Sequence, residues 1–593
     1  MSQQAIRGGE FLIRDVSFQD IFIPEEWTEE QLMMKQMTLE FVEKRVVPVL
    51  DRIDAQEEGL VPQLMEEAGA LGLLGSSVPE ELGGLGLDFK TTMLITEAIG
   101  GAHSYSVSFS AHTGIGTLPI LYYGNEAQKQ QWIPGLASGA LKGCYCLTEP
   151  GAGSDANSGK TRATLTPDGR HYVLNGQKMW ITNGGFADVM IVFAKIDDDE
   201  NLTAFIVDGH SPGITKNPEE KKMGIKGSST RQIFFNDVLV PVENLLYERQ
   251  KGFKIAVNIL NIGRIKLGGA VMGAAKEAVT GSVKYALDRE QFGRSISKYG
   301  AIRYKLAESA LRIYTCEAAI YRATQNIEDA ISALKAAGVP HGEATLQGIA
   351  DYAPECAMMK VLGSEVIDYV VDEAVQIHGG MGYSAETRAE RAFRDARINR
   401  IFEGTNEINR MLTVDMILKK AMKGEMDLMT PAMGVVKELT GIPDFGSAPS
   451  DVFEAHLAHI RGFKKAVLLV AGAAAQKLMM SLAKEQEILM NIADMAIWTY
   501  TAESTVLRVQ KLAALRGADA VGIQTDIMRV YTYEAAEWMH SAGREALLSF
   551  ASGDELKMML LGLKRFCKSD EFNVKEARQR IALHLIERGG YDL

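Results

Sequence analysis

Three segments of the chain concentrate residues that can do chemistry. Cys144-Tyr-Cys-Leu-Thr-Glu-Pro-Gly-Ala-Gly-Ser-Asp155 reads as a strand running into a Gly-rich turn. Such a turn lets backbone N–H groups and the hydroxyls of Thr148 and Ser154 approach an anionic or polar ligand, with Gly153 giving clearance. It lacks the Gly-Lys-Ser/Thr of a Walker loop, and it has neither the glycine spacing nor the βαβ unit of a Rossmann fingerprint. Taken alone it fits a plain turn equally well. Downstream, Gln177-Lys-Met-Trp-Ile-Thr-Asn-Gly-Gly185 reads as a strand ending in glycines. Period-2 alternation puts Trp180 and Thr182 on one face. An indole and a hydroxyl there suit a flat aromatic cofactor, or the packing of a half-buried sheet.

The third segment runs from Gln376-Ile-His-Gly-Gly-Met-Gly-Tyr383 to Ile401-Phe-Glu-Gly-Thr-Asn-Glu407. A carboxylate such as Glu403 in apolar surroundings has its charged form disfavoured, which raises its pKa towards that of a useful base. The same local pattern fits a surface glutamate beside a helix cap. His378 has nothing nearby to orient it as a base and reads as structural or cofactor-contacting.

These segments must be held by a large scaffold. With 593 residues, 46% of them hydrophobic and 23% charged, the chain is globular and long enough for several lobes, and global disorder is excluded. Its net charge of −13 argues against non-specific nucleic-acid binding, which needs a basic surface. Five scattered cysteines make no disulfide framework. Cys144 and Cys146 stand two apart without a second Cys/His pair, so no metal site is expected. The N-terminus lacks an apolar signal core. The greasiest stretch, Ala466 to Ala483, is broken by Gln476 and Lys477 and reads as a buried helix, not a membrane span. A cytoplasmic protein in a reducing compartment is expected.

Hydrophobic period divides the chain. Residues 25–141 read as helical, 142–250 as short strands, 251–423 as helical again, 424–452 as a Pro- and Gly-rich linker, and 453–593 as a further helical bundle. Within the β-rich part, Pro167-Asp168-Gly169 marks a turn, and Asn175-Gly176 predicts a type I′ hairpin. Val189 to Ile196, Leu202 to Val207 and Gln232 to Val240 read as strands. Ile255, Ile259, Ile262, Val271, Ala275, Val279 and Val283 mark one long helix or two in tandem. An internal echo pairs Ala307, Ala310, Tyr314, Thr315, Glu317 and Arg322 with Ala493, Ala496, Tyr500, Thr501, Glu503 and Arg508. It suggests that the last block is a degenerate copy of the preceding bundle.

Taken together, the motifs Tyr-Cys-Leu-Thr-Glu-Pro-Gly-Ala-Gly-Ser-Asp, Gln-Lys-Met-Trp-Ile-Thr-Asn-Gly-Gly, Asp-Arg-Glu-Gln-Phe-Gly and Phe-Glu-Gly-Thr-Asn-Glu resemble the acyl-CoA dehydrogenase family. The resemblance covers roughly residues 30 to 420, and the added bundle is most similar to the very-long-chain branch. It implies a mainly α fold with a central β domain: an N-terminal helical domain, a β-barrel-like middle domain, a four-helix bundle and the extra bundle. It also implies FAD as cofactor. Tyr145, Leu147, Thr148, Gly153 and Ser154 match the flavin-contacting strand and turn, with Ser154 also meeting the CoA thioester arm. Trp180, Ile181 and Thr182 match the stretch flanking the flavin. Arg289, Gln291, Phe292, Gln376 and Gly380 match residues that reach the FAD of the other subunit, so a homodimer is implied.

Within the same resemblance Thr405 and Glu407 follow the catalytic position. Asn261 and Arg264 match the pair that meets CoA, and Gly404 is a further substrate contact. Glu403 matches the catalytic base; some branches place the base near Gly263, which has no side chain to serve. The implied reaction converts an acyl-CoA to a trans-2-enoyl-CoA as the first step of fatty-acid β-oxidation, with an electron-transferring flavoprotein as acceptor. An acyl-CoA oxidase on the same fold is the alternative, and a non-enzymatic DNA-binding relative is disfavoured by the intact Glu403 and the balanced charge of the last block. Ser106, Ser108, Ser110 and Ala111 are read as one small-residue face of a helix against which the acyl tail ends. That face favours medium-to-long or longer chains, unless Phe109 points inward and caps the space.

Overall fold

In the computed structural model, which describes residues 6–440 and 449–593, helices flank a β domain in chain order as expected. The N-terminal helices include Glu29–Phe41, Leu60–Ala70, Phe89–Ile99 and Glu126–Ser138. Thr28 and Asp88 cap the first and third by accepting from Gln31 and Thr91 backbone N–H groups. Their apolar faces close on Phe41, Leu64, Met65, Ile95, Tyr105 and Phe109.

The middle domain holds β1 Gly143–Cys146, β2 Arg162–Leu165, β3 His171–Thr182, β4 Val189–Ile196, β5 Thr203–Asp208, β6 Ile214–Lys216, β7 Thr230–Pro241 and β8 Leu245–Leu246. They pair in the order β6-β7-β3-β2-β4-β5-β8, with β1 parallel to β4. β2 and β3 form the hairpin that Pro167-Asp-Gly169 predicts. Asn175-Gly176 is a correction. It lies inside β3 at a bulge opposite β7, where Gly176 has φ 147° and a Cβ would strike Thr161 at 2.6–2.8 Å. Glycine serves there as clearance for a neighbouring strand and not as a hairpin turn.

The apolar series from Ile255 to Val283 lies on one 37-residue helix, Gly252–Asp288. With Gly300–Ala336, Ala353–His378 and Asn406–Met422 it builds the first bundle. Its glycines let other helices approach closely: a Cβ on Gly273 would overlap the Glu97 carbonyl, and one on Gly363 would meet Gly268 at 2.9 Å. Gly252–Asp288 and Val452–Lys484 are long and apolar enough to cross a membrane, and most of the first one's apolar window is buried inside the protein.

The segment read as a linker carries a helix, Met429–Thr440, which lays Ala432 against Gly472 of the Val452–Leu478 helix. Residues 441–448 of that segment lie outside the described residues. Helices Val452–Leu478, Gln486–Arg516, Gly522–Phe550, Gly553–Phe566 and Val574–Arg588 form the extra bundle.

The echoed residues meet each other. Arg322 pairs with Glu503 at 2.9 Å and lies over the Tyr500 ring at 4.6 Å. Arg508 pairs with Glu317 at 2.7 Å and lies over the Tyr314 ring at 3.8 Å. Lys276 also reaches Glu317, as Lys464 reaches Glu503. Helices Gly300–Ala336 and Gln486–Arg516 therefore contact through reciprocal pairs, the arrangement that two copies of one helix make about a pseudo-two-fold axis.

Candidate active site

Glu403 stands on the turn between the short helical segment Arg397–Arg400 and Asn406–Met422, with φ 59°, followed by Gly404 at φ 81°. Two consecutive left-handed residues, one not glycine, persist only where the surroundings over-determine them. Here they do. Asn409 donates its side-chain amide to the carbonyls of Glu403, Gly404 and Thr405 at 3.3, 2.8 and 3.0 Å. Thr405 caps the next helix by accepting from the Ile408 N–H. Arg264 donates to the Glu403 carbonyl at 3.3 Å and to Asn261 Oδ1 at 2.8 Å.

The turn presents the carboxylate to the Gly252–Asp288 helix at Gly263, where a Cβ would lie 2.7 Å from Glu403 Oε2. That oxygen is sealed from solvent and has no hydrogen-bond partner. Burial pushes Glu403 up to about 7, against the opposing charges of Arg264 and Lys360. A carboxylate with a free buried oxygen and a pKa near neutrality has the properties of a general base.

Facing it is Tyr145 on β1, buried and edge-on to Phe193 at 4.9 Å, its hydroxyl without a partner. Burial, and then the Glu403 charge, push that phenol well above its ordinary value. Leu147 is buried beside it, and Thr148 turns out of the strand. Beyond, Gly153 and Ser154 are exposed, and Cβ atoms on Gly151 or Gly153 would meet nothing. Beneath this turn Lys178 donates to Glu149 at 2.6 Å and to the Leu147 carbonyl at 3.1 Å, while Glu149 also accepts the N–H groups of Lys160 and Thr161. In β3 a second bulge between Lys178 and Ile181 gives Trp180 a φ of 61° and leaves its indole 53% exposed, with Ile181 buried behind it. Trp180 and Thr182 thus both turn away from the core, as the sequence pattern predicts.

Two contacts fix the N-terminal helices to this strand layer. Asn183 donates to the Ser108 carbonyl at 2.9 Å. His112 accepts the Gly143 N–H at 3.0 Å and meets the Leu136 carbonyl at 2.9 Å. Burial lowers His112 to about 4, so it stays neutral and keeps both bonds.

The small-residue face is a correction. A spacing of two is a strand period; on the Ser104–Ser110 helix Ser108 turns into the core, as does Ala111 just beyond it. The half-buried face carries Ser106, Val107 and Ser110. Phe109 is buried against Tyr105, with ring centroids 6.3 Å apart, and does not cap that face.

Asn261 and Arg264 are both buried, and their hydrogen bonds run to each other and to the Glu403 turn. Glu407 is exposed in the first turn of Asn406–Met422. Arg289, Gln291, Phe292, Gln376 and Gly380 are exposed and do not join Glu403. Arg289 lies 26 residues past Gly263, about 39 Å along the axis at 1.5 Å per residue. Tyr285 stacks on His378 at 4.2 Å and brings the ends of the two helices carrying these residues together. Among the described residues no group of three or more His, Cys, Asp or Glu gathers as a metal site.

Sequence reasoning missed Lys360, Asn409, His112, Asn183 and the Glu149–Lys178 pair. Lys178 shares the inward phase of β3 with Leu174, four residues earlier, which was the available signal.

Four family models match the chain: the acyl-CoA dehydrogenase N-terminal domain at residues 28–140, the middle domain at 144–238, and two C-terminal domains at 250–418 and 462–565. A probable acyl-CoA dehydrogenase of Bacillus subtilis is 44% identical over 99% of this chain and 98% of its own. The rat mitochondrial very long-chain specific acyl-CoA dehydrogenase is 41% identical over 66% of this chain and 56% of its own. A crystal structure of an acyl-CoA dehydrogenase complexed with FAD from Bacillus anthracis superposes with a TM-score of 0.96, at 45% identity, covering 99% of this chain and all of that one. The domain models run in order along a chain that keeps the Glu403 turn and the strand layer facing it, and the chain belongs to the acyl-CoA dehydrogenase family.

Proposed function

We propose that the protein oxidises acyl-CoA thioesters of medium-to-long or longer chain to trans-2-enoyl-CoA, with Glu403 as the base. The observation that carries this reading is the buried, unpartnered Glu403 Oε2, raised to about 7 and facing the strand layer across Gly263. Family membership makes the chain an FAD-dependent oxidoreductase, and the residues fit that cofactor. The orphaned Tyr145 hydroxyl, the outward Trp180 indole and the open glycines at 151 and 153 form the kind of surface a planar, polar group covers. When bound, FAD supplies the two-electron acceptor for the β-hydride.

The chain's own residues do the rest. Glu403 takes the α-proton, and substrate burial that excludes water raises its basicity further. Negative charge then develops on the thioester oxygen. The Glu403 backbone N–H has no acceptor among the described residues, and it is available to donate there. Gly404, at φ 81°, has no side chain to crowd the Asn409 amide, which a Cβ would approach to 3.2 Å. Ser154 at the open turn is suited to the thioester arm. The half-buried Ser106, Val107 and Ser110 face provides a wall for the tail, where each buried CH₂ contributes up to ~0.8 kcal/mol.

A scan from short to long acyl-CoAs with an artificial acceptor tests this on the FAD-containing protein. Catalytic efficiency should rise beyond butyryl-CoA. A peak at butyryl-CoA that falls by octanoyl-CoA would refute the wall assignment. Parallel assays of oxygen uptake and of reduction of an electron-transferring flavoprotein separate dehydrogenase from oxidase.

We also propose a homodimer, with Arg289, Gln291, Phe292, Gln376 and Gly380 completing the partner's FAD site. Their exposure, and the distance of Arg289 along the helix from Gly263, support it. The extra bundle covers the face of Gly300–Ala336 on which a further pair of subunits would dock. Light scattering should give twice the chain mass; a stable tetramer would contradict the covering role.

A further inference from the structure

Lys360 lies on Ala353–His378 with 0% of its surface exposed. Its ammonium donates to Asn406 Oδ1 at 2.7 Å, a neutral acceptor, and no carboxylate among the described residues forms an ion pair with it. Burying an unpaired ammonium costs several kcal/mol, where a methionine would pack at no such cost. The nearby charges explain what the lysine gains. Around Glu403, the Gly252–Asp288 helix contributes Arg264, Ala353–His378 contributes Lys360, the start of Asn406–Met422 contributes the exposed Glu407, and β1 contributes the neutral Tyr145 phenol. Of the other two carboxylates near Lys360, Glu365 is paired with Arg410 at 2.8 Å and Glu407 is exposed. Glu403 is thus the foremost negative charge that Lys360 meets, and Lys360 is one of two cations opposing its desolvation.

Asn406 fixes where the ammonium sits. It is the first residue of the helix that follows the Glu403 turn, and its side chain is held by Ser364 Oγ at 3.0 Å and Glu365 Oε1 at 3.0 Å. The turn and the cation are therefore positioned by one residue.

We infer that Lys360 is a positioning residue for proton abstraction, a buried cation tied to the Glu403 turn through Asn406 that opposes protonation of the base near neutral pH. The inference rests on the reading of Glu403 as the base, yet its test does not require turnover. Removing the cation leaves desolvation less opposed, so the carboxyl should hold its proton to higher pH. The carboxylic-acid infrared band of Glu403, isolated as the difference between the wild-type and Glu403→Gln holoproteins, should titrate higher by on the order of one pH unit in Lys360→Met. Lys360→Arg, which keeps the charge, should titrate near the wild type.

In turnover, kcat/KM of Lys360→Met at pH 6 should fall by about tenfold relative to wild type, one pH unit being one decade of ionised base. Burial lowers Lys360 itself to about 8, so at pH 9 the wild type has shed the charge that the variant lacks, and the two should converge. A uniform loss at every pH with an unshifted infrared titration would reduce Lys360 to a packing role and overturn the inference. If Lys360→Met fails to fold, Lys360→Gln is read in the same two assays. An inactive wild type with a shifted Glu403 band would refute the dehydrogenase reading and leave the electrostatic coupling standing.

Discussion

Glu403→Gln should retain FAD and acyl-CoA binding while kcat falls by roughly 10²–10⁴-fold or more. The amide keeps the shape of the side chain and the contacts of the turn, which run through backbone carbonyls to Arg264 and Asn409. Only the proton acceptor is lost. Stopped-flow kinetics with a saturated acyl-CoA measures the effect, and near-normal turnover would move the base elsewhere.

The same variant has a stability signature. The folded protein holds the Glu403 proton up to about 7, against an ordinary 4.5. Stability from this group is therefore fully present below 4.5 and is lost as pH rises through about 7. Glu403→Gln, which cannot ionise, should melt higher than wild type at pH 8, and the gap should shrink severalfold by pH 5 and close below 4.5. A gap of the same size at both pH values would show that the carboxyl is not desolvated.

Arg508→Met should destabilise the protein by about 3–5 kcal/mol, the cost of breaking a buried ion pair from one side. Arg508 ties three parts of the chain together: Glu25 near the N-terminus at 2.9 Å, Glu317 of the first bundle at 2.7 Å, and its own helix in the extra bundle. Lys276 remains to pair Glu317 after the substitution, but among the described residues no other cation forms an ion pair with Glu25. Arg322→Met should cost less, because Lys464 remains to pair Glu503. Urea midpoints measure both. A loss below 1 kcal/mol in each would mean that the reciprocal pairs do not hold the bundles together.

Those pairs show how much of the architecture the sequence carries. Tyr314, Glu317 and Arg322 recur as Tyr500, Glu503 and Arg508, and the recurring residues are the ones that meet across the interface. A short continuous apolar run likewise reveals β4, alternation reveals β7, and the period from Ile255 to Val283 reveals the long helix. Failures come where a local signal has two physical meanings. Asn175-Gly176 serves a turn or a bulge equally, and the choice is made by Thr161 packing against Gly176. The serines at 106, 108 and 110 suggest a face only if a strand period is applied to a helix.

The Glu403 site is the least legible part. An Ile-Phe-Glu-Gly-Thr string does not reveal that Gly263, 140 residues earlier, makes room for the carboxylate, or that Arg264, Asn409 and Lys360 surround the turn. The resemblance to a family identified Glu403. Its supporting groups were invisible because burial and charge proximity arise only when four separate elements pack.

If Glu403 takes the α-proton of an acyl-CoA while the β-hydride goes to bound FAD, the holoprotein needs no other acceptor for one turnover. Anaerobic mixing of the holoprotein with a saturated long-chain acyl-CoA, without any other acceptor, tests it most directly. The flavin's visible absorbance should be lost within the mixing experiment and trans-2-enoyl-CoA recovered, with neither change in Glu403→Gln. A flavin that stays oxidised with acyl-CoAs of every chain length would contradict it.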